Sequence, residues 1–261
     1  MSHLILSPHF DDAVMSCGGH IHQLAVSEGK VDVRTVMAGT PPRFPDTAFV
    51  KELHARWQGA DDSVEVRIQE DEIAVKRLGA VASRMVSWCD CIYRTTRAGE
   101  ALYPDRDSIF GDINPKDSIA ELLPTIVLSA HEIPRTIYAP LGAGHHVDHQ
   151  IVRNWGITLK QYYPWVALKF YEEYPYSHDP QAVDRALSLL QQMHPSLKLT
   201  LEIVSLTEAD IQGKLEAIAC YKSQISSFWP DLEQMESAVR QSLVAAGNGT
   251  AGERYWVVSS R

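Results

Sequence analysis

The stretch LILSPHFDDAVMSCGGH, residues 4–20, places one histidine and two adjacent acids directly behind a short apolar run. The run stops at Pro8, which favours a buried strand that ends at the edge of a sheet. Apolar residues then recur at helical spacing over 13–30, and the segment 31–39 alternates like a second strand. This stretch therefore opens a β-α-β unit of about 30 residues. The polar turn after its first strand holds His9, Asp11 and Asp12.

Strand and helix patterns alternate along the rest of the chain. Strands are predicted over 81–88, 136–141, 167–176 and 255–260, and helices over 66–81, 116–131, 148–163 and 207–224. Alternation of this kind predicts an α/β fold, a Rossmann-like and mostly parallel sheet with helices on both faces. No internal repeat or low-complexity linker appears in the sequence, so we expect one domain over 1–261.

Two segments interrupt this alternation. Residues 95–117, TTRAGEALYPDRDSIFGDINPKD, are rich in Gly, Pro and Asp, and residues 246–253, AGNGTAGE, form a Gly-rich stretch before the last predicted strand. A loop as long as the first is more often functional or disordered than inert, and we expect 95–117 to border the functional site.

The charge of the chain argues against two classes of partner. Lysine and arginine total 24 against 33 for aspartate and glutamate, a net charge of −9, and no basic run of about five residues occurs. Nucleic acid and anionic membranes are therefore unsuited as main partners. No apolar run approaches the ~18 residues of a membrane span, and no basic segment precedes an apolar core at the N-terminus. We expect a cytoplasmic location.

The four cysteines, Cys17, Cys89, Cys91 and Cys220, are too scattered for a disulfide framework. One residue separates Cys89 from Cys91, whereas zinc-binding pairs usually have two to four, and no second pair completes a sulfur site. We expect these cysteines to be small packing residues.

A second cluster of histidine and aspartate, GAGHHVDHQ over 142–150, follows the strand predicted over 136–141. Ligands of open α/β sheets bind beyond the carboxyl ends of the strands, so both clusters should face the same edge. Imidazole and carboxylate groups together suit zinc or iron(II), and a catalytic zinc keeps one coordination position open. His9 and Asp12 with one histidine of the second cluster would make such a site, which is typical of a metal-dependent hydrolase.

Each cluster also has a plainer interpretation. Asp11 and Asp12 could only cap a helix N-terminus, and HHVDH could be a solvated helix start. The position of both clusters at predicted strand ends favours a shared site. His178 and Asp179 match the dipeptide of metal phosphohydrolases, but Pro180 follows them and no matched upstream histidine lies in a helix.

These residues together resemble the PIG-L/LmbE-like zinc N-deacetylases. That family has His-x-Asp-Asp after its first strand, here PHFDD, and His-x-Asp-His after a later strand, here HVDH. The segments RIQEDEIAVKRLGA, YEEYPY, YKSQ and ERYW resemble further stretches of the family. Two positions depart from it, because Ala13 replaces a frequent Glu and Phe10 a frequent Pro. Neither is a predicted ligand, so we expect metal binding to survive.

The resemblance implies a set of three metal ligands and a general base. His9, Asp12 and His149 would hold zinc, with iron(II) as the other candidate metal. Asp11 would be the general base that takes a proton from the attacking water. Zinc chemistry fits this assignment, since an amide carbonyl must be polarised before water attacks it.

The resemblance also assigns the second cluster. His146 would be the protonated partner that stabilises the oxyanion and donates a proton to the leaving amine, and Asp148 would orient it. A carboxylate beside an imidazole keeps that ring charged and correctly turned. His145 could be mistaken for this acid, and only the spacing to Asp148 and His149 favours His146.

Two residues are candidates for substrate binding. Arg67 matches a family arginine that reaches the sugar or its phosphate, although it could be a helix-surface charge beside Glu70 and Asp71. Asp90, in WCDCIYR, follows a predicted strand and could accept hydrogen bonds from sugar hydroxyls.

The predicted reaction is hydrolysis of an acetamido group on an amino sugar or a sugar-bearing small molecule, with release of acetate and an amine. One alternative is another metallohydrolase, such as a phosphoesterase, which should need more Lys or Arg near the site. The other is a non-catalytic sugar-binding module, which would not need Asp11 and His146. Oligomers are common in the family, so a homo-oligomer is a further expectation.

Overall fold

The computed structural model of the chain describes residues 2–57 and 63–259. The strands are β1 (Ser2–Ser7), β2 (Lys30–Thr35), β3 (Val81–Arg84), β4 (Thr136–Pro140), β5 (Ala167–Tyr171), β6 (Lys198–Ser205) and β7 (Gly252–Ser259). The helices are α1 (Asp12–Ser27), α2 (Ala48–Arg56), α3 (Ser63–Arg77), α4 (Arg106–Ile109), α5 (Ile119–Leu122), α6 (Val147–Tyr162), α7 (Pro180–Met193), α8 (Glu208–Ile218), α9 (Lys222–Phe228) and α10 (Leu232–Ala246).

The seven strands form one sheet in the order β3-β2-β1-β4-β5-β7-β6. The pairs from β3 through β5 are parallel, whereas β7 runs antiparallel to both β5 and β6. The predicted mostly parallel α/β fold is therefore confirmed. The chain moves from β1 to β2 and β3 on one side, then crosses to β4 on the other side. Ligands of open α/β sheets bind at such a switch point.

The first strand is buried on both faces. Leu4, Ile5 and Leu6 are each at most 2% exposed, which explains the uninterrupted apolar run, since parallel strands are covered by helices on both sides. Ile5 belongs to the core cluster that includes Ile21 of α1, whereas Leu4 and Leu6 belong to the cluster around Trp155 of α6. Packing on both faces fixes β1 at the centre of the sheet, with its carboxyl end open.

Several predicted elements differ from the structure. The helix predicted over 116–131 is wrong, because the structure has only α5 and a 3-10 turn over Leu123–Thr125. Pro124 lies in that turn, and its missing N–H prevents the continuation of an α-helix. The elements α2, α4, α7, α10 and β6 were not predicted, and the single helix predicted over 207–224 is divided into α8 and α9. The last strand begins earlier than expected, at Gly252, and Ser260 of the predicted strand lies outside the described residues.

The segment 95–117 is tied to the rest of the fold at several points. Thr95 and Ala101 form an isolated antiparallel bridge, and the short helix α4 begins with a capping box at Asp105. The Tyr103 hydroxyl donates to Asp117 over 2.9 Å. These contacts bring the aromatic ring of Phe110 toward the carboxyl ends of the strands.

Two further findings concern the cysteines and membranes. Cys17, Cys89, Cys91 and Cys220 are free, and the side chains of Cys17 and Cys91 are buried. Within residues 2–57 and 63–259, no helix is both long enough and apolar enough to cross a bilayer.

Candidate active site

The two polar clusters meet at the carboxyl ends of β1 and β4. These strands pair in parallel, so the turn after β1 and the start of α6 share one edge of the sheet. The ring centroids of His9 and His146 are 5.0 Å apart, and those of His9 and His149 are 5.6 Å apart. All three histidines are buried. The expectation that two distant segments converge is correct.

Asp12 lies between two imidazoles. Its Oδ2 atom is 3.1 Å from Nδ1 of His9 and 3.3 Å from Nε2 of His149, and it also accepts from the His9 backbone N–H over 2.8 Å. Burial would raise the pKa of the Asp12 carboxyl, but His149 and His9 hold this pKa well below its usual range. Asp12 therefore presents an anionic oxygen between two imidazole nitrogens.

The outer nitrogens of these two histidines each contact another carboxylate. Nδ1 of His149 is 3.1 Å from Oε1 of Glu173, and Nε2 of His9 is 2.9 Å from Oδ2 of Asp148. Burial alone would lower the pKa of His149, but Asp12 and Glu173 together raise it to about 9. A carboxylate on the outer nitrogen is the usual support of a metal-binding histidine. The two nitrogens and one oxygen that face each other thus fit a zinc or iron(II) ion.

Other combinations of donor atoms also lie close together. The groups His9, His146 and His149, then Cys91, His146 and Asp148, and finally His9, Asp90 and Asp148 each have ligand atoms within 4.8 Å of one another. His146 suits a metal poorly in this conformation, since its Nδ1 accepts a hydrogen bond from the Asp148 backbone N–H over 3.2 Å. That bond leaves the proton of the neutral ring on Nε2, the atom that would have to bind the metal. We therefore favour His9, Asp12 and His149.

Asp11 has an unusual backbone conformation. Its φ is 102°, in the region that favours glycine, and such outliers cluster at functional sites. Its backbone N–H is held by the carboxylate of Asp71. Its own carboxylate lies 3.8 Å from the Arg67 guanidinium. Burial raises the pKa of Asp11 to about 8, although Arg67 opposes that shift.

His146 and Asp148 differ from the predicted arrangement in one respect. The Asp148 carboxylate accepts from the Cys91 backbone N–H over 2.9 Å, contacts His9, and pairs with Arg94. Asp148 contacts the His146 ring through its backbone N–H. This bond arises because His146 is the N-cap residue of α6 and its side chain accepts from the N–H of residue 148. Burial, together with the nearby His9, lowers the pKa of His146 well below its usual value. In this structure the ring is therefore neutral and is oriented by the backbone of residue 148.

Comparison with known proteins identifies the family. Residues 4–160, more than half of the chain, match the family PIG-L, described as GlcNAc-PI de-N-acetylase. The chain belongs to the PIG-L family. The predicted resemblance is confirmed, and the predicted N-deacetylase class agrees with the description of the family.

Individual PIG-L relatives are similar over different lengths. A 2'-N-acetylparomamine deacetylase of Niallia circulans is 29% identical over 187 residues, which cover 66% of this chain and 66% of that protein, just under two thirds. A protein of the same name from Streptomyces fradiae is 27% identical over 262 residues, covering 97% of this chain and 80% of that protein. The structure of the zinc-inhibited form of teicoplanin deacetylase Orf2 has a TM-score of 0.78 at 24% identity and covers 99% of this chain and 98% of that one. This last similarity concerns the fold.

Arg67 of this PIG-L chain is a buried residue next to the candidate site and is not a helix-surface charge. Its guanidinium lies over the rings of Trp57, at 4.7 Å, and Phe10, at 5.6 Å, and its Nε atom has no hydrogen-bond partner among the described residues. One of its terminal nitrogens is 3.8 Å from Oδ2 of Asp90, which is itself 3.8 Å from Nε2 of His9. The two predicted substrate-binding residues therefore adjoin each other and the histidines.

Four residues of the site were not predicted. Glu173 supports His149, Arg94 pairs with Asp148, the ring of Phe110 lies 5.3 Å from His146, and the ring of Tyr176 lies 5.8 Å from His149. Glu173 and Tyr176 were within the segment YEEYPY, which follows a strand in the same way as the two motifs do. Their position just after a predicted strand is the feature of the sequence that could have identified Glu173 and Tyr176. No local signal distinguishes Arg94 or Phe110 from other residues of their loops.

Proposed function

We propose that this chain is a metal-dependent N-deacetylase that removes an acetyl group from an N-acetylated amino sugar or a sugar-bearing small molecule. The observation that carries the proposal is the position of Asp12 Oδ2 within 3.1 Å of Nδ1 of His9 and 3.3 Å of Nε2 of His149, next to the buried Asp11, whose charge interacts with those of Asp12 and His9. Membership of the PIG-L family supports the reaction type. The relatives named 2'-N-acetylparomamine deacetylase support an amino sugar as the substrate class.

We propose zinc as the resident metal, with iron(II) as the other candidate, held by His9, Asp12 and His149. The donor set of two imidazoles and one carboxylate suits either ion. A divalent ion bound there would polarise the amide carbonyl and make a water molecule a stronger nucleophile at neutral pH. The structure of a zinc-inhibited deacetylase of the same fold supports contact with zinc in this fold.

Asp11 acts as the general base in this proposal. Burial raises the pKa of Asp11 to about 8, and a divalent cation held by the neighbouring His9 and Asp12 would lower it, so that the ionised form is present at neutral pH. The carboxylate takes a proton from the attacking water and passes that proton to the nitrogen of the departing amine. The backbone bond to Asp71 and the position of Arg67, 3.8 Å away, hold the carboxylate at the site. General bases of this kind contribute about 10²–10⁴-fold to the rate.

His146 keeps its predicted role at the oxyanion, but as a neutral ring. The bond from the Asp148 backbone N–H to Nδ1 leaves Nε2 with its proton, so Nε2 donates to the oxygen of the amide as negative charge develops there. Asp148 acts by fixing this ring through its backbone and by supporting His9 through its carboxylate. Proton delivery to the amine is then assigned to Asp11 instead of His146.

Arg67 and Asp90 bind the sugar. Both are charged and lie 3.8 Å from each other, and the buried Nε of Arg67 has no hydrogen-bond partner among the described residues. Asp90 accepts from sugar hydroxyls. We also propose that the loop 95–117 borders the bound substrate through Phe110, whose ring contacts His146. A small molecule, instead of nucleic acid, is the expected partner of this acidic chain.

The test is release of free amine from N-acetylglucosamine and 2'-N-acetylparomamine, with p-nitrophenyl phosphate as the phosphoesterase control. Metal-stripped, zinc-restored and iron(II)-restored protein are compared with Asp11→Asn and with Asp184→Asn, a matched change of an exposed aspartate on α7. We expect metal-dependent amine release, a loss of about 10²–10⁴-fold in Asp11→Asn, and little change in Asp184→Asn. Activity that survives complete metal removal, or phosphate release without amine release, would contradict the proposal.

A further inference from the structure

We infer that Glu173 is a positioning residue that keeps a proton on Nδ1 of His149 and thereby turns Nε2 toward the metal. The inference rests on the proposed function, because it assigns a support to one of the proposed metal ligands. Glu173 does not itself contact the proposed metal position. It acts through His149, whose Nε2 faces Asp12 at 3.3 Å.

The carboxylate of Glu173 is fully buried, and both of its oxygens accept hydrogen bonds. Oε1 accepts from the Gly142 backbone N–H over 2.6 Å and lies 3.1 Å from Nδ1 of His149, while Oε2 accepts from the Ala143 backbone N–H over 3.2 Å. Two consecutive backbone N–H groups, one on each oxygen, hold the carboxylate and prevent it from rotating. The direction in which it presents Oε1 to His149 is therefore fixed.

The backbone that holds Glu173 has its own constraint. Gly142 has a φ of +88°, which a residue with a side chain rarely adopts. A Cβ atom at this position would also come within 2.9 Å of the guanidinium of Arg153. A glycine is thus required where the chain leaves β4, turns its N–H toward Glu173 and continues to His146. The loop that carries the second motif also orients the support of His149.

A carboxylate on Nδ1 determines which ring nitrogen is free. Both oxygens of Glu173 already accept backbone N–H groups, so Oε1 faces Nδ1 as a hydrogen-bond acceptor. In the neutral ring that binds a metal, Nδ1 then carries the proton and Nε2 is left as the metal-binding atom. Loss of such a partner typically weakens metal binding about 10- to 100-fold. The same partner increases the basicity of the imidazole, which strengthens its bond to the metal.

Glu172 provides a matched control. It is the preceding residue, it is also buried, and its Oε1 accepts from the Trp256 indole N–H over 3.0 Å. Arg254 lies 3.5 Å away on the same strand as Trp256. Glu172→Gln therefore makes the same chemical change at the adjacent position, but away from His149.

The experiment measures zinc affinity of the full chain by competition with a chromophoric chelator, for the natural protein, Glu173→Gln and Glu172→Gln. We expect about a 10- to 100-fold weaker affinity for Glu173→Gln and less than about a 3-fold change for Glu172→Gln. In parallel, ¹⁵N-histidine NMR of the zinc-loaded natural protein should show His149 bound through Nε2 with a proton on Nδ1. This measurement decides the inference even if Glu173→Gln does not fold.

The outcomes separate the inference from the proposed function. Equal zinc affinity for Glu173→Gln and the natural protein, or zinc bound to Nδ1 of His149, overturns the role of Glu173 and leaves the deacetylase proposal intact. A natural protein that binds no zinc or iron(II) overturns both. Equal losses in Glu173→Gln and Glu172→Gln also overturn the inference, since the effect would then be general to this strand end.

Discussion

At the scale of single residues, the base Asp11 depends on a second layer of side chains. Asp71 of α3 accepts from the Asp11 backbone N–H, from the Tyr221 hydroxyl over 2.7 Å and from the Thr35 hydroxyl over 3.1 Å. These donors come from three separate segments of the chain. The donors from Tyr221 and Thr35 hold Asp71, and Asp71 in turn holds the backbone of Asp11 at a φ of 102°. Such a conformation costs about 1–3 kcal/mol, which the surrounding contacts must offset.

Asp71 should give the protein a recognisable pH dependence of stability. Burial raises the pKa of Asp71 from 3.8 to about 6, although Tyr221 and Thr35 lower it. The native state therefore keeps this proton to a higher pH than the unfolded chain does, so the free energy of unfolding falls as pH rises from about 4 to 6. Asp71→Asn has no carboxyl group to titrate at this position. Its free energy of unfolding, relative to that of the natural protein, should therefore increase by on the order of 3 kcal/mol between pH 4 and 7.

Urea unfolding at a series of pH values measures this difference. Tyr221→Phe serves as an independent control, because loss of a hydroxyl that donates to the ionised carboxylate should extend the transition to higher pH. A stability difference between Asp71→Asn and the natural protein that does not change with pH would contradict the prediction.

At the scale of secondary structure elements, a carboxylate from the last strand holds the helix that follows the first motif. Helix α1 is kinked at Cys17, and Glu253 of β7 accepts from the backbone N–H groups of Gly19 and His20 over 3.0 and 2.9 Å. Lys214 of α8 donates to Glu253 over 2.7 Å and to the Ser16 carbonyl over 3.0 Å. A Cβ atom at position 19 would come within 2.5 Å of the Leu206 side chain and 3.2 Å of the Glu253 carboxylate, which explains the glycine there.

The pair Lys214 and Glu253 should be important for stability. Both side chains are 3% exposed, so Glu253→Gln would leave a buried lysine without its counter-charge. We expect a loss of about 3–5 kcal/mol in the free energy of unfolding. Glu202→Gln changes a partly exposed Lys–Glu pair on the neighbouring strand, with Lys169 at 2.6 Å, and should cost less than about 1 kcal/mol. Denaturant unfolding of both variants tests this, and equal losses would contradict the prediction.

At the scale of the whole molecule, the proposed metal links segments that are far apart in the sequence. Asp12 begins α1 and His149 lies in the first turn of α6, and they meet only because β1 and β4 are neighbours. An ion held by both binds the folded chain and not the unfolded one. Its binding should therefore stabilise the native state.

Free zinc at about 100 times its dissociation constant should raise the free energy of unfolding by about 2.7 kcal/mol. Asp12→Asn should remove most of this increase, since Asp12 contributes the anionic ligand between the two imidazoles. The exposed residue Asp112, changed to Asn, is the control that should keep it. Thermal or urea unfolding with and without zinc measures the effect, and an equal response in Asp12→Asn and Asp112→Asn would contradict the proposed ligands.

The order of β1, α1 and β2 and the edge at which both motifs meet could be predicted from the sequence. Local patterns were sufficient there, because a buried parallel strand needs an uninterrupted apolar run and its polar turn can only lie at the strand end. The segment 116–131 misled the prediction, since its apolar residues have helical spacing but Pro124 interrupts the backbone. The single domain, the cytoplasmic location and the role of each site residue stay predictions.

The sequence by itself determined the α/β class, the two histidine and aspartate motifs and membership of the PIG-L family. Only the tertiary structure decided that Glu173 supports His149, that the Asp148 carboxylate faces Arg94 and His9, and that Arg67 is buried between two aromatic rings. The reason is physical. Strand and helix periodicity depend on neighbouring residues, whereas these partners come from different strands and helices, and their distances depend on how the whole sheet packs.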